Sequence, residues 1–527
     1  MLKRNNLENV YDYVVIGSGF GGSVSAMRLS EKGYSVLVLE KGKRWKQEDF
    51  PESNWKAAKF LWFPKLKFFG FQQLTFFKRL FVLSGTGVGG GSLVYGNTLF
   101  MPPQAFYKNP VWAHLGDWET TLAPHYAEAR RMLGVTKNPL LGAEDEALKK
   151  VATELNRESY YHSLDVGVYF GPTDKPTDPY FNGEGPLRTG CTACAGCMVG
   201  CRYNAKNTLD KNYLYFAEKK GTIIQAESYA WKIEYQDNIY KIYWKSTTSK
   251  KSGIILTRGL ICSAGTLGTQ DLLLKQKYKY QTLTKLSEKL GFGIRTNSEM
   301  LCGITDIPQK VNNGIAISSA FNADEHTHIE VVKYPEGSGL MARLAIPATG
   351  DAHPWIRPIK FLGNLLLNPF SYFKLLFKSK IENNTIILLV MQNIDTKMRM
   401  VFKKGILGGR ITLEPNQDEK VPAFIPKGQE IMHHYARVTG GKPMNAATEV
   451  MFNMTTTAHI LGGCPMGNDT QQGVVNPKME VLGYPNFFIL DGSIVPCNIG
   501  VNPSLTITAL SEYALSFIPN KQDTVNE

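Results

Sequence analysis

The amino-acid sequence predicts an α/β fold, and three observations support this prediction. A short β-branched run at 13–16 leads through a glycine-rich turn into a helical pattern and a second apolar strand. A second glycine-containing turn at 263–274 again enters a helical pattern, and the segment 485–496 is typical of a strand with an acid at its end. The chain has 527 residues, which is enough for two or three domain-sized cores.

The first of these units has the full context of a dinucleotide-binding motif. Residues 17–22 read Gly-Ser-Gly-Phe-Gly-Gly, and the second predicted strand is followed by Glu40. Gly17 permits the tight turn, Gly19 lets the backbone approach a pyrophosphate, and Gly22 lets the helix pack on the strand. Glu40 can accept hydrogen bonds from a ribose. We therefore expect a bound dinucleotide, and this motif alone does not separate NAD from FAD.

Composition and charge narrow the class of protein. The chain is 43% hydrophobic and 20% charged, and it has no uncharged apolar run of about 18 residues that would predict a transmembrane helix. Its first residues lack the apolar core of a signal peptide, so we expect a cytoplasmic protein. The 59 Lys and Arg outnumber the 46 Asp and Glu, for a net charge of +13. No zinc-finger or RNA-binding signature accompanies this charge, so we expect no nucleic-acid partner.

Two acid-free stretches, 55–81 and 354–378, mix Phe, Trp and Leu with Lys and Arg and are interrupted by Pro or Gly. This composition is typical of an interfacial contact with anionic lipid. The alternative is an internal hydrophobic lid whose lysines reach outward. The first interpretation predicts a peripheral protein at the inner face of the membrane. Both interpretations favour a lipophilic substrate.

Four of the eight cysteines lie within eleven residues, at Cys191, Cys194, Cys197 and Cys201. The spacing C-x2-C-x2-C-x3-C is that of bacterial-type iron–sulfur ligation, but Arg202 stands where a proline usually follows, and a second cluster motif is absent. A structural zinc ion and reduced cysteines lining a turn are the other two interpretations. The sequence leaves all three open.

A more specific resemblance rests on the glycine-rich segment 84–97, on HILGGCPMG at 459–467 and on YPNFFILDGSIVPCNIGVNPSLTITAL at 484–510. With these segments the chain resembles the glucose–methanol–choline (GMC) oxidoreductase family, on the branch that includes the cholesterol oxidases. The matching blocks follow the expected order over nearly the whole chain, at 12–42, 84–97, 189–216, 262–274, 386–395 and 459–510. The region 300–385 matches less clearly.

The resemblance implies FAD bound along the first βαβ unit, with the segment 84–97 beside the flavin and Asp491 facing the ribityl–phosphate part. Some relatives attach FAD covalently through a histidine in this segment, which here has none, so we expect non-covalent FAD. The predicted cofactor-binding residues are Gly17, Gly19, Phe20, Gly22, Glu40, Gly87, Gly89, Gly90, Gly91, Ser92, Asn97, Asp491, Gly492 and Pro503.

The resemblance also implies a catalytic pair. In the family, a histidine and a nearby Asn or second His act at the flavin face, and these positions match His459 and Asn502. An imidazole suits the transfer of the hydroxyl proton because its pKa is ordinarily near neutrality. An amide can hold the substrate oxygen without titrating. We expect the pairs His433–His434 and His326–His328 to be structural or exposed.

One departure from the family concerns a buried glutamate that cholesterol oxidases carry over the substrate, for proton transfer and steroid isomerisation. By register it falls near Leu340–Met341, where this chain has no acid. Glu330 and Glu336 are nearby in sequence, but the sequence places neither in the pocket. It therefore gives no support for isomerisation coupled to oxidation.

The predicted organisation is a Rossmann-like FAD-binding domain built from 1–105, 186–300 and 450–527, with an inserted sheet-based substrate domain from 106–185 and 301–449. The predicted function is oxidation of a CH–OH group on a lipophilic alcohol, sterol-like or long-chain, by hydride transfer to flavin N5. Oxygen or a membrane carrier would accept the electrons. Two alternatives are a dehydrogenase that passes electrons through an iron–sulfur cluster at 191–201 and a membrane-associated flavin-binding protein without alcohol chemistry.

Overall fold

The computed structural model describes residues 10–350, 353–370, 377–405, 408–415 and 421–522. The strands are β1 (Val10–Ile16), β2 (Val36–Leu39), β3 (Trp62–Phe63), β4 (Phe68–Phe69), β5 (Gln72–Phe77), β6 (Leu80–Gly85), β7 (Thr136–Lys137), β8 (Tyr161–Ser163), β9 (Asp165–Val166), β10 (Ile223–Gln225), β11 (Ser228–Gln236), β12 (Ile239–Ser246), β13 (Ser252–Cys262), β14 (Phe292–Ile294), β15 (Met300–Thr305), β16 (Ile317–Asn322), β17 (Thr327–Val332), β18 (Ala345–Pro347), β19 (Ile386–Gln392), β20 (Met398–Lys403), β21 (Arg410–Pro415), β22 (Lys442–Ala446), β23 (Thr455–Thr457) and β24 (Phe487–Ile489). The α-helices are α1 (Phe20–Glu31), α2 (Ala57–Phe60), α3 (Gln104–Tyr107), α4 (Trp118–Met132), α5 (Ala143–Glu154), α6 (Tyr213–Lys219), α7 (Gly265–Lys275), α8 (Ile356–Leu367), α9 (Pro426–Thr439), α10 (Ala447–Phe452) and α11 (Ser504–Ser516).

The first large sheet has the order β10-β2-β1-β13-β12-β11, and β24 also pairs with β13. Strands β10, β2, β1, β13 and β24 run parallel, and β12 and β11 are antiparallel. Val14 and Val15 are fully buried, as expected for a parallel strand that is covered on both faces. The predicted α/β fold with a Rossmann-like first unit is confirmed.

The second large sheet is antiparallel, in the order β18-β22-β15-β19-β17-β16-β8. One face packs against α5 and α9 through a core that includes Leu148, Ile329 and Tyr435. The opposite face carries Val332 and Leu389, which line a cavity. The strand β15 begins at Met300, within the segment assigned by sequence to the cofactor domain. The division into two domains stays a prediction.

A small third sheet connects the hairpin β5–β6 to β23. The strand β23 runs parallel to β6, with Thr455 opposite Leu80 and Thr457 opposite Val82. Because β23 ends two residues before His459, this pairing fixes the backbone that leads to the predicted catalytic histidine.

The two acid-free stretches differ in structure. In 55–81, Phe60 and Phe71 are buried, whereas Phe63 and Leu66 are exposed. In 354–378, the described part is mainly α8, and residues 371–376 lie outside the described residues. In the described ranges, every helix is too short or too polar to cross a bilayer.

The helix α8 is held to the rest of the protein by a buried ion pair. Arg357 donates from Nη1 to Glu449 Oε1 on α10 at 2.8 Å, and both side chains are at most 3% exposed. Burial raises the pKa of Glu449 to about 7, against the lowering effects of Arg357 and of a hydrogen bond from Asn445. The outer side of α8 is apolar, with Ile359 68% and Leu366 81% exposed.

Candidate active site

A cavity of about 790 Å³ opens at the carboxyl ends of β1, β2 and β13 and extends to the second sheet. Ligands of open α/β sheets bind at this edge. Eleven of the residues predicted from sequence line it: Gly17, Gly19, Phe20, Glu40, Gly90, Gly91, His459, Asp491, Gly492, Asn502 and Pro503. The structure therefore gathers residues from four distant parts of the chain around one space.

The glycines of the first turn have different surroundings. Gly17 has a φ of +97°, which favours glycine. A Cβ on Gly22 would lie 2.0 Å from the carbonyl oxygen of Gly17, so Gly22 serves the packing of α1 and does not line the cavity. A Cβ on Gly19 would meet nothing within 4 Å, because this position faces the cavity.

Glu40 connects the first turn to the glycine-rich segment. Its Oε2 accepts hydrogen bonds from the backbone and hydroxyl of Ser18, at 3.1 and 2.8 Å. Its Oε1 accepts from the backbone N–H of Gly42 at 2.9 Å and of Gly87 at 3.3 Å. One carboxylate therefore orders both loops at the edge of the cavity.

Four predicted cofactor residues of the segment 84–97 lie behind the cavity wall. Gly87 and Gly89 donate to Glu40 and Ser18, and Ser92 Oγ donates to the carbonyl of Gly89 at 2.7 Å. Asn97 is fully buried, and both polar atoms of its amide lack a hydrogen-bond partner among the described residues.

These features fit a bound dinucleotide. Gly19 and Gly265 both present an open side on which a Cβ would meet nothing, and both line the cavity. The N-terminus of α11 reaches the cavity at Pro503, and helix N-termini favour electron-rich groups. Asp491 is 4% exposed, and burial raises its pKa although it accepts a hydrogen bond from the Ser493 N–H at 2.8 Å.

His459 and Asn502 face each other at the cavity. Asn502 Nδ2 lies 3.4 Å from His459 Nε2, and Asn502 Oδ1 has no hydrogen-bond partner among the described residues. The two side chains come from segments 43 residues apart, one after β23 and the other before α11. An acceptor nitrogen and an amide thus point into the same part of the cavity, which is the geometry needed to hold a hydroxyl group.

Glu299 is a residue of the candidate site that the sequence analysis missed. Its Oε1 lies 2.9 Å from His459 Nδ1, an ion-pair contact whose angle falls outside that of a hydrogen bond. Its Oε2 accepts from the backbone N–H of Ala458 at 2.9 Å and from the hydroxyl of Thr457. Burial opposes protonation of the imidazole, but Glu299, with a smaller effect of Glu330, outweighs it and raises the pKa of His459. The only feature of the sequence that could have pointed to Glu299 is its position as an isolated acid directly before the buried strand β15.

Glu330 and His328 are buried next to each other on β17. By the family's register a buried acid would fall near Leu340–Met341, where this chain has none. Glu330 on β17 is 0% exposed, and its charge contributes to the raised pKa of His459. It lies behind the cavity wall, on the same side of β17 as Val332, which lines the cavity. His328, expected to be structural or exposed, is 4% exposed and lies 3.3 Å from Glu330.

The wall beyond the predicted cofactor site is apolar. The hairpin β5–β6 contributes three aromatic side chains, and the second sheet contributes aliphatic ones; these include Phe76, Phe77, Phe81, Leu301, Val332 and Leu389. The stretch 55–81 therefore forms part of the inner wall of the cavity, and it also carries the exposed side chains of Phe63 and Leu66.

The four clustered cysteines do not form a metal centre in the described part of the chain, where no set of three or more His, Cys, Asp or Glu side chains is arranged to hold an ion. The iron–sulfur and zinc interpretations thus gain no support. Cys197 is buried in an apolar core, and the neighbouring Lys206 donates to the carbonyls of Leu93, Tyr95 and Cys197 at 2.7–3.0 Å. This segment therefore supports the glycine-rich segment from behind.

Comparison with known proteins gives two family models. A model described as GMC oxidoreductase matches residues 398–511, and one described as NAD(P)-binding Rossmann-like domain matches residues 15–45. The chain is 40% identical to a cholesterol oxidase of Acinetobacter baumannii, over 97% of this chain and 95% of that protein. It is 39% identical to a cholesterol oxidase of Mycobacterium tuberculosis, over 98% of this chain and 92% of that protein.

More distant relatives extend the comparison. A long-chain-alcohol oxidase of Arabidopsis thaliana is 25% identical, over 97% of this chain and 68% of that protein. Among solved structures, pyridoxine 4-oxidase from Mesorbium loti matches with a TM-score of 0.63 and 14% identity, over 96% of this chain and 99% of that one. The last match concerns the fold alone.

Proposed function

Because this chain belongs to the GMC oxidoreductase family, on the branch of the cholesterol oxidases, and is an FAD-dependent alcohol oxidoreductase, we propose that His459 and Asn502 form its catalytic pair. The observation that carries this proposal is their meeting at the cavity, with Asn502 Nδ2 3.4 Å from His459 Nε2.

The cofactor would be held by the turn of Gly17 and Gly19, by Glu40 and by the segment around Asp491 and Pro503. When bound, FAD supplies the two-electron acceptor for a hydride. Asn97, buried with both amide atoms unpaired, is the further residue that we assign to cofactor binding. Residues 1–105, 186–300 and 450–527 would form the cofactor domain, and 106–185 with 301–449 the substrate domain.

In the proposed mechanism, the substrate hydroxyl lies on the cavity side of the two side chains, within hydrogen-bond reach of both. His459 Nε2 accepts the hydroxyl proton, and the amide of Asn502 donates to the oxygen as negative charge develops there. Glu299 holds the imidazole by its Nδ1 and stabilises the imidazolium that forms. An acid–base group placed in this way contributes about 10²–10⁴-fold to the rate.

We further propose a sterol-like or long-chain alcohol as substrate and dioxygen as electron acceptor. The apolar wall formed by Phe76, Phe81 and Leu389 supports a lipophilic substrate, and the cholesterol oxidases and the long-chain-alcohol oxidase to which the chain is similar favour these two classes. Glu330 is our candidate for the buried acid of the cholesterol-oxidase branch. Steroid isomerisation is therefore an activity to be tested together with oxidation.

The experiment is anaerobic mixing of the purified holoenzyme with a panel of alcohols, followed by the loss of oxidised-flavin absorbance. Sterols and long-chain primary alcohols are expected to bleach the flavin, and choline and glucose are not. Ultraviolet absorbance of a conjugated enone would report isomerisation of a sterol product. Bleaching by the hydrophilic alcohols alone would reject the proposed substrate class.

We also propose peripheral contact with anionic membranes. The supporting observation is the apolar outer side of α8 together with Trp355, which is 79% exposed. At 63–67, Phe63 and Leu66 are exposed next to exposed Lys65 and Lys67, a pattern that combines apolar insertion with attraction to anionic lipid.

A further inference from the structure

The helix α8 turns a charged side chain inward and its apolar side chains outward. Among its 12 residues, all of which the structure describes, Arg357 alone is buried. Ile359, Leu362 and Leu366 are exposed. A surface helix of a globular protein usually buries its apolar face instead. The position of α8 therefore depends mainly on the contacts of Arg357.

Arg357 binds one face of the short helix α10. Its Nη1 donates to Glu449 Oε1 at 2.8 Å, and its Nη2 donates to Asn453 Oδ1. The two acceptors are four residues apart, so they lie on the same face of the helix. A planar guanidinium can bond both of them at once, which the point charge of a lysine does less well. The guanidinium carbon also lies 5.3 Å from the ring centre of Phe424, a cation–π contact.

The helix α10 is also part of the cavity wall. Its first two residues, Ala447 and Thr448, line the cavity, and so does Ala446, the last residue of β22. Glu449 follows directly in sequence, and its Oε2 accepts from Asn445 Nδ2 on β22 at 3.0 Å. The carboxylate of Glu449 therefore joins α8 to the strand and helix that form this wall.

The segment that carries the proposed base has contacts of its own. The strand β23 pairs with β6, and Glu299 Oε2 accepts from the backbone N–H of Ala458 at 2.9 Å. The side chains of α10 reach β23 through the hydroxyls of Thr448 and Thr456, which lie 3.1 Å apart. A displacement of α10 is therefore expected to change the cavity wall more than the position of His459.

We propose that Arg357 is a positioning residue for substrate binding: through Glu449 and Asn453 it holds α10 in place as a wall of the cavity in which the alcohol binds. This inference rests on the proposed function, because it takes this cavity as the substrate site. Arg357 does not line the cavity itself, so it acts through α10. The helix α8, whose apolar side faces away from the protein, is thereby tied to the substrate site.

The test variant separates this role from a contribution to stability alone. Removing only Arg357 would leave the buried carboxylate of Glu449 without its partner, which is strongly destabilising. The double variant Arg357→Met with Glu449→Gln removes both charges and keeps an acceptor for Asn445. It is expected to melt near the temperature of the parent protein, because no buried charge is left unpaired. The tie between α8 and α10 is nevertheless lost, so the double variant should still bind the alcohol more weakly.

The measurement is anaerobic flavin reduction of the holoenzyme over a range of concentrations of decanol or of cholesterol in detergent. It gives an apparent dissociation constant for the alcohol and a limiting rate of reduction. In the double variant the constant is expected to rise about 5-fold or more, with little change in the limiting rate. Arg357→Lys should give an intermediate constant, because an ammonium group keeps the charge but not the two-pronged geometry. Lys360→Met is the control, since it removes an exposed cation from the same helix, and it should behave as the parent does.

A folded double variant that binds the alcohol as tightly as the parent would overturn the role of Arg357, and so would a loss confined to the limiting rate. Where the double variant does not fold, Asn453→Gly replaces it, because glycine accepts the φ of +47° at this position and removes one of the two acceptors. An unchanged constant in Asn453→Gly would again reject the proposal. A parent protein that no alcohol reduces would reject the proposed function instead, so the two failures are distinguishable.

Discussion

His459 Nδ1 lies 2.9 Å from Oε1 of Glu299, a carboxylate that is 1% exposed. This ion pair fixes which nitrogen of the imidazole faces the cavity, because the Nδ1 side is occupied by the carboxylate. It also makes His459 a stronger base than an isolated histidine, since the neighbouring carboxylates raise its pKa.

The first prediction concerns the pH dependence of flavin reduction. His459 must be neutral to accept a proton, so reduction should fall at acid pH with a midpoint above the ordinary histidine value of about 6.5. In Glu299→Gln the midpoint should move to lower pH, because removing the carboxylate lowers the pKa of His459. Stopped-flow measurement of anaerobic flavin reduction over a range of pH gives the midpoint for the parent protein and for Glu299→Gln. An unchanged midpoint in Glu299→Gln would show that the ion pair does not control the base.

The second prediction concerns the catalytic pair. His459→Gln should slow anaerobic reduction by about 10²–10⁴-fold while FAD remains bound. Asn502→Leu should also slow reduction, because it removes a donor that acts on the developing oxyanion. His433→Gln serves as the control for a histidine far from the cavity. Near-parental reduction in His459→Gln would make the assignment wrong and require another base.

The third prediction separates cofactor binding from folding. Gly19 has a φ of −71° and open space at its Cβ position, so Gly19→Ala should fold normally but bind FAD more weakly. Gly22→Ala would place a Cβ 2.0 Å from the Gly17 carbonyl, and it should lower the melting temperature. Flavin titration and thermal unfolding of the apoprotein measure the two effects. Unaltered FAD affinity in Gly19→Ala would contradict a phosphate contact at that turn.

The fourth prediction concerns stability against pH. Glu449 has a folded-state pKa of about 7, above its ordinary value, so the folded state binds this proton more tightly than the unfolded chain. The resulting stability is fully present at acid pH, below the unfolded value, and is lost as pH rises through about 7. In Glu449→Gln the melting temperature should depend less on pH in this range. Melting temperatures from pH 5 to 8 test it, and parallel profiles for parent and variant would contradict it.

The fifth prediction concerns the membrane. Binding to anionic liposomes should weaken as salt is added, because salt screens the attraction of Lys and Arg to lipid. Replacing Leu366 and Leu367 by Ser should reduce co-sedimentation, and replacing the exposed Ile254, which lies on a different surface, should not. A folded protein that stays in the supernatant at low salt would assign the two stretches to the lid interpretation.

The sequence predicted the first βαβ unit because its signal is local. The roles of His459 and Asn502 come from the family resemblance and stay predictions, and the structure brings both side chains to the cavity. Gly17, Gly19 and Glu40 lie within 24 residues, and their spacing is imposed by one turn and one helix. The contacts of Glu299 and of the Glu330–His328 pair are not local. They depend on strand order in the second sheet and on the path of the chain before His459, which no spacing in the sequence reports. For the cysteine pattern the local spacing left iron–sulfur, zinc and no metal open, and the described residues give no support to either metal interpretation.

The parallel pairing of β6 with β23 has a consequence for how this protein can change its substrate. The hairpin that supplies Phe76 and Phe81 to the wall of the cavity is bonded to Thr455–Thr457, which end two residues before His459, the proposed general base. A substitution that reshapes the hairpin for a different alcohol will therefore tend to displace His459 as well. Selectivity and turnover are therefore expected to vary together when this hairpin is changed. The aliphatic side of the cavity, on β17 and β19, offers positions where selectivity can be redesigned with less displacement of His459.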